Sequence, residues 1–349
     1  MNGVSSRIQA IGTGLPDHVI DASARVELLR TIWPRMAMVG TAVEEAGGSR
    51  YLAEDPAHLL RPRGLTETMA LYARHAIRLS ESAARQALDR AEVLPQEIDV
   101  IISVSCTGYM VPSLDVHLIE HLDLRQDVVR LPITELGCSG GAAAISLGHR
   151  HLAAYPDQRV LVVAVELPSL TFQPGDSSLD NLTASMVFGD GAAAAVMVAA
   201  PVSDSPGLKV EAVASHLVGG TAGALGYDLR DDGFHVVLDR RLPRIIGRSI
   251  GEVARRFLQR AGMERVEFLA AHGGGPRVLD AIQTALHLED ALLAPSRRTY
   301  AEIGNVSSAS ILFTLAAILP CLGTRPLQGL GIGLGPGVSI EMMQLTWTP

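Results

Sequence analysis

Three residues far apart in the chain have types that could act together: Cys138, His272 and Asn305. Cys138 follows Gly137 in LGCSGG (136–141) and precedes small residues, AAAISL, that can pack as a buried helix. The pattern predicts a sharp turn that sets one thiol at the first turn of that helix, where free N–H groups and the positive end of the dipole gather. Such a position can lower a cysteine pKa from about 8.5 to between roughly 3.5 and 7.5. An isolated cysteine is more often a small buried hydrophobe; the glycine bracket and two downstream partners weigh for a nucleophile here. His272 ends an apolar run, FLAAH (268–272), and is followed by Gly273-Gly274-Gly275-Pro276, a loop whose backbone can approach a ligand closely. Asn305 lies in GNVSSAS (304–310). Together they supply a nucleophile, a partner for its proton and a neutral amide donor suited to an oxygen that gains negative charge.

A chain of 349 residues with 48% hydrophobic and 19% charged residues can bury a large core, as two domains or as one domain of two halves. Its formal charge of −8 opposes nucleic-acid binding, and no basic stripe with interleaved aromatics is present. Cys106, Cys138 and Cys321 fit neither a disulfide framework nor a zinc knuckle, so a reducing cytoplasm suits them and no metal is expected. The N-terminus lacks a signal-peptide pattern, and the longest late apolar stretch, ILFTLAAILPCL, contains Pro320 and is too short to span a bilayer. The expectation is a soluble cytoplasmic protein.

The elements that must position the three residues alternate along the chain. RIQAIG (7–12), VIISV (100–104), RVLVVAV (159–165) and GAAAAVMVAA (191–200) read as strands, the last three buried on both faces. Helices are predicted over 22–46 with an interruption at Pro34, over 66–92, from Ser113 to Leu122, and after Cys138. Residues 50–64 read as an exposed loop. PVSDSPG (201–207) reads as a linker that divides the chain into halves 1–205 and 206–349. The second half then repeats the order: VEAVASHLV, FHVVL (234–238), a helix over 243–261, and FLAAH. Three landmarks overlay at one shift: VIISV on FLAAH at 168, Gly137-Cys138 on Gly304-Asn305 at 167, and RVLVVAV on PLQGLGIGL at 167. Two similar αβ halves predict a pseudo-two-fold site with Cys138 and Asn305 close together at two helix N-termini.

These residues resemble the type III polyketide synthases, the chalcone synthase-like members of the thiolase fold. The resemblance rests on SCTGYMVPSLD (105–115), LGCSGG, SLTF (169–172), FGDGAAA (188–194), DDGFHVVLD (231–239), HGGGPRVLD (272–280), GNVSSAS and GLGPG (333–337). It implies an α/β thiolase-like fold, two βαβ-type halves in five αβαβα layers. It also implies that Cys138 carries the acyl chain, with His272 and Asn305 as its partners, and that Phe188 and Phe234 gate the junction of tunnel and cavity. Cys106, Thr171 and Ser307 match cavity-lining positions. The substrates implied are an acyl-CoA starter and malonyl-CoA, with no cofactor, in a homodimer. Where many relatives carry a methionine that reaches the partner's cavity, this chain has Val111, with Met110 beside it. Arg50, Arg61 and Arg63 are candidates for the CoA phosphates by charge alone, and GLGPG stands where GFGPG is commoner.

SLTFQP (169–174) and GNVSSASILF (304–313) look most like bacterial members taking fatty acyl-CoA starters, which predicts an alkylpyrone or alkylresorcinol as product. An apolar tunnel would need small residues along its wall, and Ala and Gly abound near 140–144 and 219–224. The rival is a malonyl-primed synthase of a compact aromatic such as tetrahydroxynaphthalene, in a polar cavity; Cys106 and Tyr109 suit that. A β-ketoacyl-ACP synthase III-like enzyme would share the triad but not GLGPG and the paired phenylalanines. A papain-like hydrolase expects a CGSCW-like context, which is missing. A catalytically silent paralogue fits poorly with an intact triad.

Overall fold

Apolar runs without polar alternation become strands covered on both faces. A computed structural model describes residues 5–36, 38–200 and 206–349. The first half holds β1 (Ser5–Gly14), β2 (His18–Ile20), α1 (Ala22–Ile32), α2 (Val39–Ala46), β3 (Arg50–Leu52), α3 (Leu65–Ala91), β4 (Val100–Val104), α4 (Leu114–Leu122), β5 (Val129–Ile133), α5 (Gly140–Ala154), β6 (Arg159–Glu166), α6 (Leu179–Val187) and β7 (Gly191–Ala200). The second holds β8 (Gly207–Leu217), β9 (Leu225–Arg230), β10 (Gly233–Leu238), α7 (Leu242–Arg260), β11 (Phe268–Ala271), α8 (Pro276–Leu286), α9 (Asp290–Ile303), α10 (Ser310–Ile318), β12 (Leu327–Gly335) and β13 (Ser339–Thr348). Most of the linker expected at 201–207 lies outside the described residues.

Nine strands run in the order β11-β12-β13-β8-β1-β7-β6-β4-β5. The halves meet where Ser6–Ile8 of β1 pairs antiparallel with Leu208–Val210 of β8, so the two sheets are hydrogen-bonded into one. Three clusters of buried side chains give the layers. Leu79, Ala83, Ala87 and Leu88 of α3, with Leu118 of α4, cover one face of β6 and β7. Ile145 and Leu152 of α5 and Ile311, Leu312 and Leu315 of α10 fill the middle, against the strands of both halves. Ile246, Ile250 and Phe257 of α7 and Leu279 and Ile282 of α8 cover Leu330, Ile332, Ile340 and Met342 of β12 and β13. The five αβαβα layers are therefore present. Inside them, α5 is made of small residues because its start touches the other half: a Cβ on Gly141 would lie 2.0 Å from the carbonyl oxygen of Ser308.

Two expectations change. The segment 50–64 is not wholly an exposed loop: β3 pairs with β2, and Arg50 is 1% exposed. The repeat is not one constant shift either. β4 matches β11 at 168 (100 to 268), but the short 3-10 turns that open α5 and α10, Gly137–Ser139 and Ser307–Ala309, match at 170 (137 to 307). Loop lengths differ between the halves, and a sequence overlay cannot see where the difference falls. Among the described residues, no helix is long and apolar enough to cross a membrane.

Candidate active site

The turn that carries the thiol needs its glycine. Gly137 has φ +55°, and a Cβ there would lie 2.4 Å from Cγ of Pro336, so the GLGPG segment packs directly on the turn. Ser139 Oγ donates to the Leu136 carbonyl at 2.9 Å and lies 2.9 Å from Ser339 Oγ, which ties the turn to the start of β13. Cys138 is left 8% exposed, with the Ser307 hydroxyl donating to its sulfur at 3.2 Å.

The second turn repeats the first with different side chains. Ser307 takes the left-handed conformation, φ +44°, that Gly137 takes, so Cys138 corresponds to Ser308 and Asn305 stands three residues earlier. Asn305 is fixed by its own backbone: its N–H donates to Val187 and its carbonyl accepts from Gly189 N–H. Its Oδ1 accepts from the Ser307 N–H at 2.8 Å and from the Ser310 hydroxyl at 3.2 Å. A backbone N–H can only donate, so the atom facing it is the oxygen, and the Nδ2 amino group is the end free to donate. His272 follows β11 directly and is 2% exposed, its N–H bonded to the Ile332 carbonyl and its Nδ1 buried without a partner. Cys138, His272, Asn305 and Phe188 together line one cavity of about 430 Å³.

A second chamber of about 470 Å³, called the inner chamber below, adjoins it, lined by Cys106, Tyr109, Thr134, Glu135, Tyr227, Phe234 and Ser307 among others. Cys138 and Phe188 line both spaces, so Phe188 stands at their junction. Phe234 lines only the inner chamber, where its ring meets Tyr227 edge-on at 5.5 Å. Thr171 lies one layer back: it bonds the Pro168 carbonyl, lies 3.4 Å from the Tyr227 hydroxyl, and lines an adjoining space of about 50 Å³. Cys106 Sγ is 3.4 Å from Ser307 Oγ.

Sequence reading missed Glu166. It ends β6 with 0% exposure and accepts from Thr107 Oγ1 at 2.7 Å, from the Cys106 N–H at 3.1 Å and from the Ser308 hydroxyl. One charged residue closing the apolar run RVLVVAV was the available signal. Burial raises its carboxyl pKa, and these donors work against the rise. Burial also pushes the Cys138 thiol up to about 12, opposed by the Ser307 hydroxyl, and lowers the His272 imidazole to about 4. Both shifts favour the neutral thiol and neutral imidazole over the ion pair. The strong lowering of the thiol pKa expected from the helix start is outweighed by desolvation. Cys106 is raised well above its usual value by burial and by the Glu166 charge.

The cations at the cavity mouth are Arg240 and Arg277, not the three expected. Arg277 pairs with Glu45 of α2 at 2.6 Å. Arg50 donates to the Met186 and Ser49 carbonyls and the Tyr300 hydroxyl, and packs beneath Gly304, so it braces the Asn305 turn. Arg61 is exposed and paired with Glu67, and Arg63 does not line the cavity. The small residues 140–144 pack inside α5 and line neither space, and neither do those at 219–224. Met110 packs inward against the α3 cluster, whereas Val111 is 79% exposed.

The layered fold, with a cysteine at one central helix start and His and Asn supplied by the other half, defines a thiolase-like condensing enzyme. Family profiles then narrow the class: "Chalcone and stilbene synthases, N-terminal domain" matches residues 53–201 and the corresponding C-terminal domain matches 209–348. The chain belongs to this family; it is a type III polyketide synthase, an acyltransferase. It is 34% identical over 340 residues to the 1,3,6,8-tetrahydroxynaphthalene synthase of Streptomyces coelicolor, covering 95% of this chain and 90% of that one. It is 32% identical to the phloroglucinol synthase of Pseudomonas fluorescens, over 95% and 97%. The crystal structure of the S. coelicolor tetrahydroxynaphthalene synthase superposes with a TM-score of 0.93 at 32% identity, over 98% and 99% of the two chains. That of germicidin synthase from the same species gives 0.89 at 26%, over 99% and 100%.

Proposed function

We propose that the enzyme builds a compact hydroxylated aromatic from malonyl-CoA, with Cys138 as the acyl carrier and His272 and Asn305 as donors to the enolate oxygen. The observation that carries the triad is the orientation of Asn305, whose oxygen is consumed by its own turn while its amino group is free beside Cys138 and His272. The Cys138 thiol gives its proton to His272 as its sulfur attacks the thioester carbonyl, and the departing CoA sulfur takes that proton. A malonyl-CoA then loses carbon dioxide, and its enolate oxygen is held by Asn305 Nδ2 and His272. The enolate carbon attacks the Cys138 thioester and frees the thiolate, which then attacks the CoA thioester of the longer chain and expels CoA, whose sulfur takes a proton from solvent. Losing one such donor typically costs about a hundred- to a thousandfold in rate. No metal or organic cofactor is required by these steps. Phe188 bars water at the junction, and Arg240 and Arg277 meet the CoA phosphates.

The compact product is favoured over an alkylated one by the inner chamber. Its lining mixes Cys106, Tyr109, Thr134, Glu135, Tyr227 and Ser307 with Leu225, Leu229, Phe234 and Val236, and the small residues 140–144 expected along a fatty tunnel lie packed in α5. The names of the tetrahydroxynaphthalene and phloroglucinol synthases it resembles agree with that choice. A homodimer is part of the proposal: Tyr109 lines the chamber yet is 64% exposed, Val111 is exposed as well, and Val129 and Leu131 are exposed apolar residues of β5, the last strand of the sheet. The test is a starter series from acetyl- to palmitoyl-CoA, with and without malonyl-CoA, read by product mass. Malonyl-CoA alone should give the main product. A kcat/KM that climbs with starter length, with alkylated products dominant, overturns the reading.

A further inference from the structure

Two buried cations one layer behind the inner chamber pair with no carboxylate among the described residues. Arg25 of α1 is 2% exposed and Arg50 of β3 is 1% exposed. Burial first, and then the nearby Arg50 charge, lower the Arg25 guanidinium pKa to about 10, so it stays charged at neutral pH. Arg50 spends its N–H groups on the carbonyls of Ala46, Ser49 and Met186 and on the Tyr300 hydroxyl. Arg25 donates from Nη2 to the Gly47 carbonyl at 2.8 Å, while its Nε and Nη1 are buried with no partner among the described residues. All of these acceptors are neutral. The acids beside Arg25 in the chain do not answer it: Asp21 caps α1 through the Ala24 N–H, and Glu27 is exposed.

Both arginines line the space of about 50 Å³ that Thr171 also lines, and that space shares Phe188, Tyr227 and Val236 with the inner chamber. It has room for a few water-sized molecules and is far smaller than the roughly 300 Å³ at which pockets for organic ligands begin. Its other polar side chains have no donor to spare. Ser169 donates to Asp190, Thr171 to the Pro168 carbonyl, Ser185 to the Leu182 carbonyl, and Asn181 to the carbonyls of Gln173 and Asp176. The unspent N–H groups are those of Arg25. We propose that Arg25, with the charge of Arg50 beside it, binds one small monoanion of carboxylate size in this space. Two like charges buried among neutral acceptors are costly, and a ligand that brings negative charge relieves both at once. A guanidinium only donates, so the ligand must supply lone pairs, which a carboxylate does. Two sources deliver that chemistry. One is a free anion from solvent, such as formate or bicarbonate. The other is the free carboxylate of a malonyl starter reaching past Phe188 and Tyr227, a source that rests on the malonyl priming proposed above.

The variant to make is Arg25→Met, because Arg50 also braces the Asn305 turn. The probe is formate, exchanged for gluconate at constant ionic strength, since gluconate is too bulky for the space. The melting temperature of the wild type should rise by about 3 °C or more over a hundredfold increase in formate beyond half-saturation, and that of Arg25→Met should not. Wild-type crystals grown in bromide should show an anomalous peak within hydrogen-bonding reach of Arg25, a reading that needs no variant to fold. The ratio of malonyl- to acetyl-primed turnover then names the source. A fall of at least tenfold in Arg25→Met assigns the starter carboxylate, and an unchanged ratio beside a formate-dependent rise assigns the free anion. Should malonyl-CoA fail to prime at all, the priming reading falls while formate and bromide still judge the site. The proposal is overturned if formate stabilises the wild type no more than gluconate, if Arg25→Met keeps the full rise, or if bromide binds only elsewhere.

Discussion

The two turns that open the central helices have the same backbone and different chemistry. Gly137 and Ser307 both sit in the left-handed region, and both lead through a 3-10 turn into a buried helix. The first turn holds a thiol; the second holds Ser307 and Ser308, both hydrogen-bonded, with an amide three residues before. The first turn is pressed by Pro336 and tolerates no side chain at its left-handed position, while the second carries one there and uses its hydroxyl on Cys138. One duplicated scaffold has thus divided its work. In the proposed reaction the first half carries the covalent bond, and the second supplies donors to the charge that forms next to it.

That division can be broken at its ends. Cys138→Ala should abolish product, and with it the acyl adduct seen by intact-protein mass spectrometry, without unfolding the chain. An adduct that persists on Cys106 or Cys321 would relocate the nucleophile. Asn305→Ala should lower malonyl decarboxylation about a hundred- to a thousandfold while sparing much of the starter loading, as measured by carbon dioxide release against adduct formation. If loading and decarboxylation fall together, the turns are not specialised.

The same substitution at the two equivalent positions sharpens the comparison. Gly137→Ala combines left-handed strain of about 1–2 kcal/mol with an overpacking cost of about 1–3 kcal/mol against Pro336, so thermal stability should drop clearly. Ser307→Ala leaves the backbone as it is and removes a hydroxyl, a loss of about 1 kcal/mol. Equal melting temperatures for the two variants would refute the difference in packing.

A smaller effect tests the burial of His272. Its folded pKa, about 4, lies below the ordinary 6.5, so the unfolded chain binds the proton first as pH falls. Stability from this group is complete above about pH 6.5 and declines toward pH 4. At pH 5 the loss relative to neutral pH is about 2 kcal/mol, at 1.36 kcal/mol per pH unit. His272→Gln should unfold in denaturant with that much less acid sensitivity than wild type; an unchanged pH dependence would mean the ring is not buried neutral.

Much of this arrangement was legible in the residues. Uninterrupted apolar runs located β4, β6 and β7, and the glycine bracket located the Cys138 turn, because both signals are local. Glu166, Arg50 and the mouth arginines were not legible in the same way. Whether a charged side chain ends up inside is decided by which element covers it: Arg50 reads as a surface cation among loop residues, yet Tyr300 and the carbonyls of Ser49 and Met186 enclose it. Glycine and alanine at 140–144 suited a tunnel wall and a helix contact equally, and only the closeness of Ser308 decides between them. The expected shift of 167 placed Asn305 opposite Cys138, whereas the turns align at 170 and the two residues meet from different positions.

The seam between β1 and β8 has a mechanical consequence. Strand pairing across it, with α5 and α10 wedged between the two sheets, denies the halves a hinge. In the proposed reaction the walls around the growing chain then act as a casting mould of fixed shape.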